Sequence, residues 1–360
     1  MTETGQKRIS KGTSPLCFLP SGKLVCYRYG KLLILSDGEV IQSYQLFSSK
    51  KETILGRSRI LLRLLRLGIR TAIALDEEHI LLSIGNVLFE YDLQSGILSK
   101  GYFCGEGVRP LVFSLVKDIE GVDDSIYFGT YQSVNSTNPV NVYKRVGIDN
   151  WQIVYTFEAG LVGHVHNIIP DPFRKCMWIF TGDFGHHAAI WKVTENFHKV
   201  ERLFYGNQKY RACVINAIPE GLLYATDSPL DDDHIILLNT VTGELKEIIP
   251  IAGSCIYGCK WKDKYVFESS VEPSGIYKNK LHFLFSREIG PGIKDRYVRI
   301  YCGNLEEDFK EIYKEKKDAL PYATFQFGAV RFPSGSNQRN ILFLQPMSVK
   351  KNDLFLLSIE

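Results

Sequence analysis

The chain has 360 residues, of which 45% are hydrophobic and 23% charged, and its 43 basic and 40 acidic residues leave a net charge of +3. These proportions exclude a disordered, collagenous or coiled-coil protein. The weak net charge does not favour a nucleic-acid-binding protein, so we expect no nucleic-acid partner. The polar first residues lack the apolar segment of a signal peptide and no long apolar window follows, which predicts a cytoplasmic protein. The eight scattered cysteines are predicted to be free and buried.

Short segments rich in Val, Ile, Phe, Trp and Thr recur along the whole chain, separated by Gly, Pro, Asn and Asp. They group into units of four predicted strands, at about the ~40–45-residue period of a propeller blade. A sixth unit follows residue 254, where both KLHFLFSRE and VRIYCGNL are predicted as strands, and a seventh unit with three strands ends the chain. The first five units cover residues 16–47, 71–103, 111–157, 163–206 and 212–251.

This repetition predicts an all-β fold, a single seven-bladed β-propeller over residues 1–360. A β-sandwich has too few strands to account for all of the units. The last unit lacks a strand, and we expect an N-terminal strand near Lys7–Ser10 to supply it and to close the ring.

Residues 54–70 interrupt the strand pattern and contain no acidic residue. Their leucines and isoleucines alternate with arginines that fall on one face of a helix, which predicts a short cationic amphipathic helix inserted between blades 1 and 2. Three interpretations stay open: a helix packed on the propeller, attachment to an anionic membrane surface or membrane-bound partner, and an anionic ligand. The second would make the protein peripheral to the membrane. The arginines are Arg59, Arg63, Arg66 and Arg70.

Equivalent positions of successive blades meet at the channel of a propeller, because the innermost strand of each blade lines it. The starts of the predicted first strands and the ends of the second strands carry imidazoles, guanidiniums, carboxylates and phenols. A water-lined channel with mutual hydrogen bonds is one interpretation, and a ligand site is the other. The catalytic candidates are His164, His166, Asp183, Arg211 and Tyr257. The substrate-binding candidates are Arg109, Tyr131, Tyr210, Asp227, Ser228, Glu268 and Gln326.

Four of the eight histidines lie within residues 164–187. His164 and His166 share one face of a strand because side chains alternate with period two, and Asp183 ends the next strand. A carboxylate beside a neutral imidazole fixes its tautomer and favours general-base chemistry. The same three residues with His187 would suit a divalent metal such as zinc, and a structural hydrogen-bonded pair is the third interpretation. We expect no organic cofactor.

The run GHVHNIIPDP…MWIFTGD, residues 163–183, resembles the blade opening of sialidase-like or BNR-type propellers. In those proteins a histidine-bearing first strand leads into a second strand that ends in Gly-Asp. The Asp-box SxDxGxTW of that family is missing from every unit and the sialidase arginine triad cannot be assigned, so sialidase activity is not expected. The resemblance implies a carbohydrate-active propeller. Propeller-fold polysaccharide lyases are similar in using His, Tyr and Arg in a central cleft.

We therefore expect a propeller that cleaves or recognises an anionic polysaccharide or oligosaccharide, as a glycoside hydrolase or a polysaccharide lyase. His164 or His166 would act as base or acid, with Asp183 as its orienting partner. Hydrolysis would instead need two facing carboxyls, from Asp183, Asp227 and Glu268. The alternative is a non-catalytic propeller that is a scaffold for a membrane-associated partner, for example in surface-glycan biosynthesis.

Overall fold

The computed structural model describes residues 5–47, 50–132, 138–337 and 339–360. These ranges form seven antiparallel sheets, six with four strands and one with five, so the predicted all-β seven-bladed propeller is confirmed. Strand β1 (Lys7–Lys11) comes first in the chain and belongs to the last blade.

The first three blades run from the inner to the outer strand in chain order. Blade 1 contains β2 (Ser14–Phe18), β3 (Leu24–Arg28), β4 (Lys31–Ser36) and β5 (Glu39–Gln45). Blade 2 contains β6 (Thr71–Ala74), β7 (His79–Ile84), β8 (Val87–Asp92), β9 (Ile97–Leu98) and β10 (Tyr102–Phe103), and the last two both pair with β8. Blade 3 contains β11 (Ser114–Val116), β12 (Ser125–Gly129), β13 (Val140–Gly147) and β14 (Asn150–Phe157).

The remaining four blades follow the same plan. Blade 4 contains β15 (His164–Asp171), β16 (Cys176–Gly182), β17 (Ala189–Thr194) and β18 (Lys199–Tyr205). Blade 5 contains β19 (Ala212–Ile218), β20 (Gly221–Thr226), β21 (His234–Leu238) and β22 (Leu245–Pro250). Blade 6 contains β23 (Gly258–Trp261), β24 (Lys264–Ser269), β25 (Tyr297–Gly303) and β26 (Lys310–Lys316). Blade 7 contains β27 (Ala329–Arg331), β28 (Leu342–Met347), β29 (Phe355–Ile359) and β1.

The ring closes through the two ends of the described chain. Strand β1 pairs antiparallel with β29, with Lys7 opposite Ser358 and Lys11 opposite Phe355. The predicted closing strand is therefore confirmed, one residue longer than expected.

The predicted single helix over residues 54–70 is wrong in extent. Two short helices follow β5, α1 (Lys50–Leu55) and α2 (Arg59–Leu64), and the chain from residue 65 to β6 is not helical. The Ser58 side chain caps α2 by accepting the Leu61 N–H at 3.3 Å, and the positive φ of Gly68 (106°) is incompatible with continuing the helix.

The segment KLHFLFSRE, predicted as a strand, also forms a helix. Residues Lys280–Phe285 make α3, because the Asn279 side chain accepts the N–H of His282 at 2.8 Å and caps the first turn. A fourth helix, α4 (Tyr322–Phe325), contacts both α2 and α3. Three 3₁₀ turns complete the helical elements of the described chain: Gly185–His187, Glu195–Phe197 and Gln208–Tyr210.

The hydrophobic core lies between neighbouring blades rather than at one centre. Each adjacent pair shares a cluster; blades 3 and 4, for example, meet through Val142, Phe157, Val165 and Trp191. All eight cysteines are free, and only Cys259 is not fully buried, as the sequence predicts. In the part of the chain that is described, no helix is long and apolar enough to cross a membrane.

Candidate functional site

The channel contains a cavity of about 270 Å³ whose lining is rich in charged side chains. Its size is just below the ~300–1,000 Å³ range of small-molecule sites, which suits a small ligand or the end of a larger one. The charged residues among the lining are Arg66, Arg70, Arg109, Arg211, Arg331, Asp183, Asp227 and Glu272.

Several of the cavity side chains belong to residues that are held by backbone hydrogen bonds just beyond the ends of the strands. Asp227, directly after β20, donates its N–H to the carbonyl of Arg211, directly before β19, at 3.0 Å. Tyr131 donates in the same way to the carbonyl of Arg109 at 2.8 Å, and the two residues form an isolated bridge. In blades 3 and 5 the pairing between the inner two strands thus continues beyond the strand ends, at residues with polar side chains.

Two histidines and an aspartate meet at one wall of the cavity. His164 Nε2 lies 2.9 Å from His166 Nε2 and 3.2 Å from Asp183 Oδ1. His166 Nδ1 lies 3.2 Å from the carbonyl oxygen of Ala212. Since only an N–H can bond that carbonyl, the proton of neutral His166 is on Nδ1, and its Nε2 accepts from His164 Nε2–H.

Burial lowers the pKa of His166, so this imidazole is neutral near pH 7. Burial acts to raise the pKa of Asp183, but hydrogen bonding to His164 and the charge of Arg211 lower it well below the usual range. This wall therefore presents a carboxylate that contacts His164 and lies beside the neutral imidazole of His166.

Arg211 lies between two carboxylates. Its Nη2 is 3.4 Å from Asp183 Oδ1 and its Nε is 3.2 Å from Asp227 Oδ2. Burial acts against the charged form, yet Asp227 and Asp183 raise the pKa of Arg211 above its ordinary value. Arg211 Nη1 is buried without a hydrogen-bond partner among the described residues, and it is therefore a donor that an entering acceptor can satisfy.

Glu272 is a cavity residue that sequence reasoning missed. Its Oε2 is buried and has no hydrogen-bond partner in the described chain. Burial, followed by the negative charge of Asp227, raises the pKa of Glu272 to about 7. The sequence does contain a signal for Glu272, because an acidic residue directly follows the second strand in blades 4 and 5. In blade 6 the chain continues beyond β24, with a bridge between Val271 and Gly328, and the acidic residue comes after that bridge.

Most of the predicted site residues reach the cavity. Because His166 Nε2 and Arg211 Nη2 both lie within 4 Å of Asp183 Oδ1, one ligand can contact both. The candidates that line the cavity are His166, Asp183, Arg211, Tyr257, Arg109, Tyr131, Asp227 and Gln326.

The other candidates are not among the lining residues, and their contacts explain why. Tyr210 packs on the Phe204 ring, and the Ser228 hydroxyl bonds Gln208 and Asp231. Glu268 Oε1 accepts the backbone N–H groups of Ile256 and Tyr257, so its role is to hold the chain before β23.

The two remaining histidine candidates also lie off the lining. His164 is buried behind His166, with the Tyr131 ring 4.5 Å from its own. His187 Nε2 lies 3.2 Å from the carbonyl of Gly160, and it is absent from the described groups of side chains close enough to share a metal.

The four arginines predicted for one helical face have different environments. Arg63 is fully buried and pairs with Asp318 and Asp353, so it is unavailable to a membrane. Arg59 pairs with Asp353 at 3.2 Å. Arg66 and Arg70 line the cavity, a role that the sequence left open as an anionic ligand site.

A divalent metal would be held by His164, His166 and Asp183, whose donor atoms are 2.9, 3.2 and 3.8 Å apart. Bonds of about 2.0–2.1 Å to a tetrahedral zinc place ligand atoms about 3.3–3.4 Å from one another. The bond from His166 to a backbone carbonyl is the outer contact typical of a metal-bound imidazole. The three residues fit a metal after a small separation of the two imidazoles, although Arg211 is a competing cation.

No family model matches this chain, and no curated protein matches it in sequence. The β-propeller domain of Cps50 (Swd1) from Myceliophteria thermophila aligns with 99% of this chain over 98% of its own length, at 10% identity and a TM-score of 0.55. The extracellular domain of the putative one component system BT4673 from B. thetaiotaomicron aligns with all of this chain over 40% of its own, at 11% identity and a TM-score of 0.53.

A prolyl endopeptidase structure aligns with 98% of this chain over 50% of its own, at 12% identity and a TM-score of 0.54. At such identities these likenesses show the propeller fold alone. The resemblance of residues 163–183 to sialidase-like blades receives no support from them beyond that fold.

Proposed function

We propose that the protein binds an anionic saccharide end-on in the channel and cleaves it, by β-elimination as in a polysaccharide lyase. The observation that carries this proposal is the meeting, in one cavity, of a carboxyl with a pKa near 7 and guanidiniums that have free donors. A general base is most effective when its pKa is near the working pH, and guanidiniums bind carboxylates through paired N–H groups.

In this reaction four cavity side chains have separate roles. Arg109 and Arg211 hold the carboxylate of a uronate, which makes the neighbouring C5 proton more acidic. Ionised Glu272 takes that proton, the C–H electron pair forms the C4=C5 double bond, and the bond to the 4-oxygen breaks. Burial raises the pKa of Tyr131 above its ordinary range, so this phenol keeps its proton and can donate it to the leaving oxygen.

In this reaction the histidines position other residues, whereas the sequence predicted that one of them is the base or acid. Because His166 Nε2 faces His164 and Asp183, the imidazole pair positions Asp183 and, through it, Arg211. Hydrolysis by Asp183 and Asp227 is the related alternative. A divalent metal on His164, His166 and Asp183 is a third, and it predicts stoichiometric zinc or manganese that His166→Ala loses.

The test is digestion of uronate-containing and neutral oligosaccharides, following new reducing ends and the ultraviolet absorbance of the unsaturated product together. We expect both signals from uronate substrates, and their loss in Glu272→Gln. The control is Glu306→Gln, which removes an exposed carboxyl that does not line the cavity.

Each outcome separates the alternatives. Reducing ends without absorbance would move the reaction to hydrolysis, with Asp183→Asn as the decisive variant. Binding without either signal would leave recognition alone. The lack of binding and of cleavage for every saccharide would refute the proposal.

A non-catalytic scaffold for a membrane-associated partner is the second candidate, and one observation favours it. Apolar side chains of α2 and α3 are exposed, among them Leu64 (42%), Leu281 (68%) and Phe285 (67%). A patch of this kind is a common feature of interaction sites. Replacement of Leu281 and Phe285 by Ser should abolish co-sedimentation with anionic vesicles if this surface is used, and leave saccharide binding intact.

A further inference from the structure

Three cavity arginines have no part in the proposed reaction: Arg66, Arg70 and Arg331, called here the outer arginine cluster. Arg70 directly precedes β6, the position that Arg211 holds before β19. Arg331 is the last residue of β27, and Arg66 lies between α2 and β6. Three separate segments thus bring guanidiniums to the same cavity.

None of these three guanidiniums forms an ion pair with a carboxylate of the described residues, whereas Arg211 is paired on both sides. Arg66 Nη2 donates to the carbonyl of Ala323 at 3.3 Å. Arg331 Nε is buried and without a hydrogen-bond partner among the described residues. Buried donors without partners are uncommon in folded proteins and point to a missing acceptor.

The guanidiniums are close enough to repel one another. Burial, and then the charges of Arg109 and Arg331, lower the pKa of Arg70 to about 10. Like charges in a confined cavity are costly unless an anion offsets them. A single carboxylate brings one negative charge and two oxygens, whereas a phosphoryl group brings nearly two charges and three acceptor oxygens.

We propose that the outer arginine cluster binds a phosphoryl or pyrophosphoryl group of the ligand that carries about two negative charges in total, so that the ligand is a phosphorylated or pyrophosphate-linked saccharide. Planar guanidiniums bind phosphate oxygens in pairs, and three of them from different directions match a tetrahedral group. The saccharide part of this inference rests on the proposed function, while the phosphoryl part stands independently of it.

Isothermal titration of the full chain at low salt tests the inference with inorganic phosphate, pyrophosphate, sulfate and acetate, and with glucose 1-phosphate as the sugar ester. We expect phosphate, pyrophosphate and sulfate, which carry about two or more charges, to bind at least about 10-fold more tightly than the monoanion acetate, the factor that one strong charge-assisted bond supplies. Tighter binding of pyrophosphate than of glucose 1-phosphate would indicate that the ligand contains a pyrophosphate link. Tighter binding of glucose 1-phosphate would indicate a phosphate monoester.

The variants are Arg331→Gln and, because a half-buried residue can be needed for folding, Arg70→Gln, at a residue that lines the cavity but also reaches solvent. Each should weaken phosphate binding at least about 10-fold. Arg57→Gln, which removes an exposed arginine that does not line the cavity, should leave it unchanged.

Equal affinity for phosphate and acetate, or equal phosphate binding by Arg70→Gln and Arg57→Gln, would overturn the inference. Its failure differs from failure of the proposed function. Phosphate binding without saccharide cleavage refutes only the reaction, and cleavage of unphosphorylated uronates without phosphate binding refutes only the cluster.

Discussion

The pKa of Glu272 predicts a pH-dependent stability that a single substitution should remove. Below pH 4.5, the ordinary pKa, the carboxyl is protonated in both the folded and the unfolded chain and contributes nothing. Above about pH 7 it is ionised in both, and burial penalises only the folded form. The folded chain should therefore lose stability, relative to Glu272→Gln, as the pH rises from 4.5 to 7.

The size of this loss follows from the pKa change. A rise from 4.5 to about 7 corresponds to about 3 kcal/mol. With an unfolding entropy of about 2.1 cal/mol/K per residue, that free energy moves the melting temperature of a 360-residue domain by about 4 °C.

Thermal unfolding of the wild type, Glu272→Gln and Glu306→Gln across this pH range provides the assay. The melting temperature of Glu272→Gln should exceed that of the wild type by about 4 °C at pH 8 and should equal it at pH 4. A difference that does not vary with pH would show that Glu272 titrates normally, and its role as the base would fail with it.

Three further predictions concern the framework of the site. Arg63→Met should cost about 3–5 kcal/mol of stability, since it leaves the buried carboxylates of Asp318 and Asp353 without their cation, and chemical denaturation measures it. Gly182→Ala should displace the imidazole of His166, because an added Cβ would overlap its Nε2, and histidine NMR would record a changed tautomer. Deletion of β1 should lower the melting temperature and cause aggregation through the exposed edge of β29, as light scattering on heating would show.

Matched variants control for the chemical change alone. Arg57→Met removes an exposed arginine, and a loss of stability equal to that of the Arg63 variant would contradict the buried network. Gly147→Ala adds a Cβ that meets nothing closer than 3.9 Å, and it should leave the histidine spectrum unchanged. If the chain without β1 melts like the full chain, the closing strand is not needed for stability.

The fold could be predicted because a propeller is encoded locally and repeatedly. Each blade needs four short apolar segments separated by turns, and that pattern survives where no sequence relative is detected. Prediction failed where the same residue types form helices. Leu281, Phe283 and Phe285 alternate as in a strand, but the Asn279 cap starts a helix instead. A cap is a single side-chain contact that strand periodicity does not reveal.

The site was predictable only where the repeat could be aligned between blades. The motif at residues 163–183 mixes two kinds of residue: Asp171 accepts bonds from Phe173, Arg174 and Trp178 and only holds the turn, whereas His166 lines the cavity. Spacing alone does not separate them. Arg70 was misassigned for a similar reason, since helical spacing in residues 54–70 concealed its place directly before β6.

The buried ion network and the cavity are parts of one arrangement. Arg63 binds Asp318, Asp353 and the carbonyl of Phe325, and so fixes α2 to blade 7. This attachment brings the next turn of chain over the channel, where Arg66 reaches the carbonyl of Ala323 in α4. An acidic residue in this segment would pair with the outer arginine cluster and occupy the place of the ligand. The absence of Asp and Glu from residues 54–70 is therefore what an anion site in the channel requires.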